Sequence, residues 1–153
     1  RHVTPAGVAP YGAGRYTATA REGVYEALCA EADAALAAGH GVVADATFLR
    51  AADRERLAGV ARGRRCPCIF VECRADEDVI RARLDARDRA PSLSDARWET
   101  YLGQRAQHES LRPDEPHIVV ETSGALETAR AAALRQLWRW RQGRPLAAHR
   151  AAK

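Results

Sequence analysis

Three short apolar runs, Val42–Ala44, Cys68–Cys73 and His117–Thr122, are each followed by a polar turn and then by a stretch with helical periodicity. This alternation restricts the fold more than any other feature of the chain. A strand that hands on to a helix and then to another strand builds a parallel sheet through right-handed crossovers. With 153 residues there is room for one such domain, which is assigned to residues 1–142, with 143–153 as a basic tail.

The helical stretches have recognisable limits. Thr19 with Glu22 three residues on reads as a capping box, and Val24, Leu28, Ala32, Ala35 and Leu36 then recur at helical spacing up to Gly39. A second helix is predicted over residues 51–62, with Leu57, Val60 and Ala61 inward, arginines outward, and Gly63 as the stop. Asp76 is placed to N-cap a third, which Pro91 breaks. A fourth is predicted to start near Ser92 or Ser94 with Trp98, Tyr101 and Leu102 on one face. A last runs from Ala125 to about Trp140 with Trp138 packed inward. Residues 1–16 hold three glycines and two prolines without period and read as a loop.

Composition excludes several classes. No run approaches the roughly 18 apolar residues of a membrane span, and no secretory segment is visible, so no membrane partner and a cytoplasmic location are expected. The cysteines Cys29, Cys66, Cys68 and Cys73 lack the two-pair spacing of structural zinc sites and are expected to be buried thiols. The chain has no methionine and a single lysine, Lys153, so arginine carries nearly all the positive charge.

In an open parallel sheet, ligands bind beyond the carboxyl ends of the strands. Three segments end there: Asp45-Ala46-Thr47, Cys73-Arg74-Ala75 and Thr122-Ser123-Gly124. Asp45 after an apolar strand suits a Mg²⁺-holding acid, and equally suits a turn or capping acid. Arg81, Arg83, Arg87 and Arg89 crowd one helix end, where guanidinium forks could neutralise phosphate charge or form a solvated basic face. The loop "YGAGRY" offers Arg15 as a substrate-side contact. The segment from Leu134 to Lys153 has six Arg/Lys, no acid, and Trp138 and Trp140 interleaved, which leaves nucleic acid as an alternative partner.

Taken together, "VVADATFLR", "CIFVECRADEDVIRARLDARDR", "SDA" and "HIVVETSG" resemble the AAA-type ATP-binding P-loop kinases related to polynucleotide kinase, over about residues 11–126. In many bacterial proteins that domain sits behind an aminoglycoside-phosphotransferase-like domain. The resemblance implies an α/β, three-layer P-loop NTPase-type parallel sheet with helices on both faces. It also implies ATP and Mg²⁺ as cofactors.

By the same resemblance Asp45 takes the place of the acid ending the Walker B-like strand, with Thr47 beside it. Arg83 and Arg87 take the place of lid arginines, and Ser123 with Gly124 that of the loop bordering the adenine. The family's Walker A loop ends in Lys-Ser/Thr and is followed by a Ser-Asp pair for the acceptor hydroxyl. With no lysine before Lys153, that loop is expected from an upstream segment or domain, residue 1 falling just after the Ser-Asp pair. The intact domain is then expected to move the γ-phosphoryl group of ATP to a hydroxyl of a nucleic acid or small molecule, this chain alone being inactive. A non-catalytic nucleotide-binding module and a basic nucleic-acid-binding domain are the alternatives. The resemblance also places the central strand outside the chain, between the Val42 and Val71 strands.

Overall fold

The computed structural model describes residues 18–88 and 97–143. In chain order these form α1 (Ala18–Ala37), α2 (Ala51–Gly63), β1 (Phe70–Arg74), α3 (Glu77–Asp88), α4 (Trp98–Gln107), β2 (His117–Glu121) and α5 (Leu126–Arg141). Arg15, Arg89, Pro91, Ser92 and Ser94 lie outside the described residues. The chain divides into two compact units, Arg1–Cys68 with Leu84–Ser110 and Ile69–Arg83 with Leu111–Lys153.

In the second unit β1 and β2 pair in parallel, from Phe70 opposite His117 to Arg74 opposite Glu121. Alternation along β2 turns Ile118 and Val120 to one face, where α5 lays Ala129, Ala133 and Leu137 over them and Ile69 completes the cluster. Burying a residue such as Ile118 contributes about 1.5–3 kcal/mol. Gln136 Nε2 donates to the Val119 carbonyl at 2.8 Å, fixing α5 along the strand. The small alanines let α5 approach closely, and Trp138 is left on the outer face, 63% exposed. The expectation that Trp138 packs inward is corrected.

In the first unit α1 packs on α2. The buried stripe of α1 is Tyr25, Cys29 and Ala32, whereas Val24 faces solvent. Of the expected stripe Ala32 is buried and Leu28, Ala35 and Leu36 are half-buried, while the place of Val24 is taken by Tyr25, whose ring packs against Phe48. Thr19 lies inside α1 and cannot be its N-cap. The C-terminus of α1 is as expected: Gly39 has φ +83°, His40 N–H donates to the Ala35 carbonyl and Gly39 N–H to that of Leu36. These are the paired 6→1 and 5→2 bonds of a Schellman end.

α2 ends in the same way without a glycine in the left-handed position. Cys66 N–H bonds the Ala61 carbonyl, Arg65 N–H that of Arg62, and Arg65 itself has φ +55°. The stop is therefore at Arg65; Gly63, expected to supply it, is the last helical residue. Arg64 binds both carboxylate oxygens of Asp33, at 2.7 and 2.5 Å, joining the end of α2 to α1. That hydrogen bond holds the Asp33 carboxyl below its ordinary value. Of the cysteines only Cys29 is buried; Cys66 and Cys68 are half-buried and Cys73 is exposed, which corrects the expectation for three of the four.

Asp76 sits at the expected N-cap of α3, its carbonyl taking the Ile80 N–H at 3.0 Å. α4 is N-capped by Arg97, and its Trp98 and Tyr101 rings lie 5.1 Å apart. Residues 42–44 do not form a strand; the described sheet consists of β1 and β2. A strand exists only where a neighbour completes its ladder. Residues 42–44 have none among the described residues, and Val43 is 98% exposed.

Candidate nucleotide site

Asp45 follows the unassigned run 42–44 and leads through a bend at Ala46 to Thr47 and Phe48. Its side chain is exposed and makes no hydrogen bond or ion pair among the described residues. Among the described residues the capping and turn roles open to such an acid are therefore not used.

The turn behind it is held from three directions. Phe48 has φ +44°, a left-handed conformation that costs a bulky residue about 1–3 kcal/mol unless its surroundings impose it. Tyr25 Oη accepts the Phe48 N–H at 2.9 Å and lies 3.4 Å from Thr47 Oγ1. The Tyr25 and Phe48 rings meet edge to face at 5.5 Å. Arg54 Nη1 donates to the Phe48 carbonyl at 3.1 Å.

Arg54 is the feature that periodicity misses. On an α2 expected to carry its arginines outward, it is 2% exposed. Its guanidinium also donates to the carbonyls of Glu109 at 2.9 Å and Ser110 at 3.2 Å. Glu109 returns to the start of α2, its carboxylate accepting the Ala51 N–H at 2.8 Å and its own N–H bonding the Leu49 carbonyl. Arg50 grips Asp53 with two 2.9 Å bonds alongside. The segment from Phe48 to Asp53 is thus fastened to the residues after α4, and the exposed Asp45–Thr47 turn stands on a fixed base.

A second set of expected residues meets in the other unit. Arg83 Nη2 donates to the Thr122 carbonyl, Asp76 N–H donates to Ser123 Oγ at 2.8 Å, and Thr122 bonds the Arg74 carbonyl through both its N–H and its hydroxyl. The loop after β2 is thereby tied to the start of α3, with Gly124 exposed beside it. Arg83 serves as a clamp on this loop. Arg87, one helical turn further along α3, is exposed. Asp45 and Thr47 are thus brought together on one turn, and Arg83 and Ser123 around one loop.

The donor set at the turn fits a hard divalent cation: one carboxylate without a partner among the described residues, with a hydroxyl two residues on. Mg²⁺ in nucleotide sites takes one or two carboxylates and draws its remaining ligands from water and phosphate. Among the described residues no three His, Cys, Asp or Glu gather into a metal-binding group, and no helix is long and apolar enough to cross a membrane.

Comparison with curated proteins and with solved structures gave no significant match. The family model described as AAA domain matches residues 6–111, which include α1, the Asp45–Phe48 turn, α2, β1, α3 and α4. The α/β order, the parallel sheet and this match agree, and the chain belongs to the AAA domain family, whose members bind nucleotides on a P-loop NTPase fold.

Proposed function

We propose that this chain supplies the cation-holding acid and the lid cation of an ATP-dependent phosphotransferase site, whose phosphate-cradling loop comes from a segment outside these 153 residues. The observation that carries the proposal is Asp45: an exposed carboxylate, without a partner among the described residues, on a turn whose backbone is held in a strained conformation by buried neighbours. A fold that fixes such a turn with a buried tyrosine and a buried arginine gains nothing structural from the acid itself.

In this reading Asp45, with Thr47 beside it, holds Mg²⁺. The ion supplies neutralisation of β- and γ-phosphate charge. Arg87 is the lid cation that offsets charge developing on the transferred group. Arg15 is a contact on the acceptor side. Catalysis is then positioning and charge neutralisation, with transfer of the γ-phosphoryl group to a hydroxyl. The exposed Val42–Ala44 run is the place where a strand leading into the missing loop would pair.

The test is kinetic. In the protein joined to its phosphate-cradling segment, Arg87→Ala is expected to lower kcat by a factor of at least about 100 with a much smaller change in ATP affinity. An unchanged kcat removes Arg87 from the site.

A further inference from the structure

α5 has two unlike faces. Ala129, Ala133 and Leu137 pack on β2, while Leu126, Leu134 and Trp138 face outward, 79%, 59% and 63% exposed. Positions three and four apart on a helix share a face. Arg135 and Arg141 therefore stand one turn before and one turn after Trp138, with Arg139 adjacent, and all three are exposed. Arg130 pairs with Glu127 at 3.1 Å. Arg135, Arg139 and Arg141 make no ion pair among the described residues. Glu127 is the single acid on the helix.

We propose that this face binds single-stranded nucleic acid, a base stacking on the Trp138 indole while Arg135, Arg139 and Arg141 take the neighbouring phosphates. An aromatic platform flanked by cations is the arrangement that holds a strand without regard to sequence. Charge complementarity favours this occupant over the two others an exposed apolar stripe could take. A second copy packed on the same face would oppose like-charged arginines with one acid per helix to offset them. A lipid surface takes up a continuous apolar face. Here the continuous apolar stripe is spent on β2, and the outward one is interrupted by Arg130 and bounded by Arg135 and Arg141. The proposal is independent of the phosphotransferase reading, since it concerns binding on a helix face and not turnover.

The probe is a fluorescein-labelled oligothymidylate of about 15 nucleotides, within the span of known single-strand sites. Its anisotropy is titrated with the full 153-residue chain at several salt concentrations. Trp138→Ala is expected to weaken binding about tenfold, and Trp138→Phe to restore most of it. The triple variant Arg135→Ala/Arg139→Ala/Arg141→Ala is expected to flatten the log–log salt slope by about 2, from three lost phosphate contacts at about 0.7 each. Circular dichroism should be unchanged, because every altered side chain is exposed. Equal affinity for Trp138→Ala and the parent chain, or an unchanged salt slope in the triple variant, overturns the proposal. So does a Trp138→Ala variant that loses self-association or binding to anionic vesicles while keeping the oligonucleotide.

Discussion

Tyr25 Oη accepts the backbone N–H of Phe48 at 2.9 Å, across 23 residues of sequence, and so holds a left-handed phenylalanine three residues after Asp45. A tyrosine on α1 thus decides the shape of the turn that presents the candidate metal acid. Tyr25→Phe keeps the ring contact and removes the acceptor, leaving a half-buried N–H unbonded. We expect a loss of about 1–3 kcal/mol in chemical denaturation. An unchanged midpoint would mean that the turn is held by Arg54 and ring packing alone.

Arg54 gathers carbonyls from two separate segments, Phe48–Leu49 and Glu109–Ser110. Arg54→Leu removes the donors and orphans those acceptors, so about 3 kcal/mol or more of stability should be lost. Arg54→Lys keeps the charge without the fork and should recover only part of it. Thermal melts of the two variants distinguish a charge effect from a geometric one.

At the end of α2, Arg65 occupies a φ +55° position that glycine fills without steric cost. Arg65→Gly should stabilise the chain by about 0.5–1 kcal/mol, the relief of left-handed strain less the added entropy of the unfolded glycine. A destabilised variant would show that the Arg65 side chain contributes more than its backbone costs.

The cysteines should separate by reactivity. Burial pushes the Cys29 thiol above its ordinary value of 9.0, with the Arg56 charge lowering it and Asp53 raising it by smaller amounts. Burial raises Cys68 as well. A thiol whose folded value is raised stabilises the fold fully below 9.0 and loses that contribution as pH rises through the folded value. In a thiol-exchange assay at about pH 8, exposed Cys73 is expected to react first and Cys29 only on unfolding. Rapid modification of Cys29 in the folded chain would contradict the packing of α1 on α2.

Much of the frame was legible. The order of β1, β2 and the five described helices could be read from apolar runs and spacing, as could the Gly39 end and Asp76 as a cap, because those signals are local. What was not legible depends on partners far away in sequence. Arg54 is buried because carbonyls some 55 residues downstream need donors, a fact that no pattern within α2 carries. Val42–Ala44 has the composition of a strand, but a ladder needs a neighbour. In α5 two stripes lie one residue apart, and hydrophobicity alone favours the one with Leu134 and Trp138. The sheet instead takes the alanine stripe, whose small side chains permit closer approach. At the candidate site the sequence singled out the Asp45-Ala46-Thr47 segment, and family resemblance gave Arg83 as a lid arginine and Ser123 with Gly124 as the adenine-side loop, with no hint that Arg83 bonds the Thr122 carbonyl. It gave no hint of the Tyr25–Phe48–Arg54 support beneath the turn.

The central claim is that Asp45 and Arg87 act on the same nucleotide phosphates. A double-mutant cycle on kcat tests it most directly, using Asp45→Asn, Arg87→Ala and the pair in the protein joined to its phosphate-cradling segment. Each single variant is expected to lower kcat by a factor of about 100 or more, and the pair by far less than the product of the two. Single variants that leave kcat within about twofold of the parent, or losses that simply multiply, would contradict the claim.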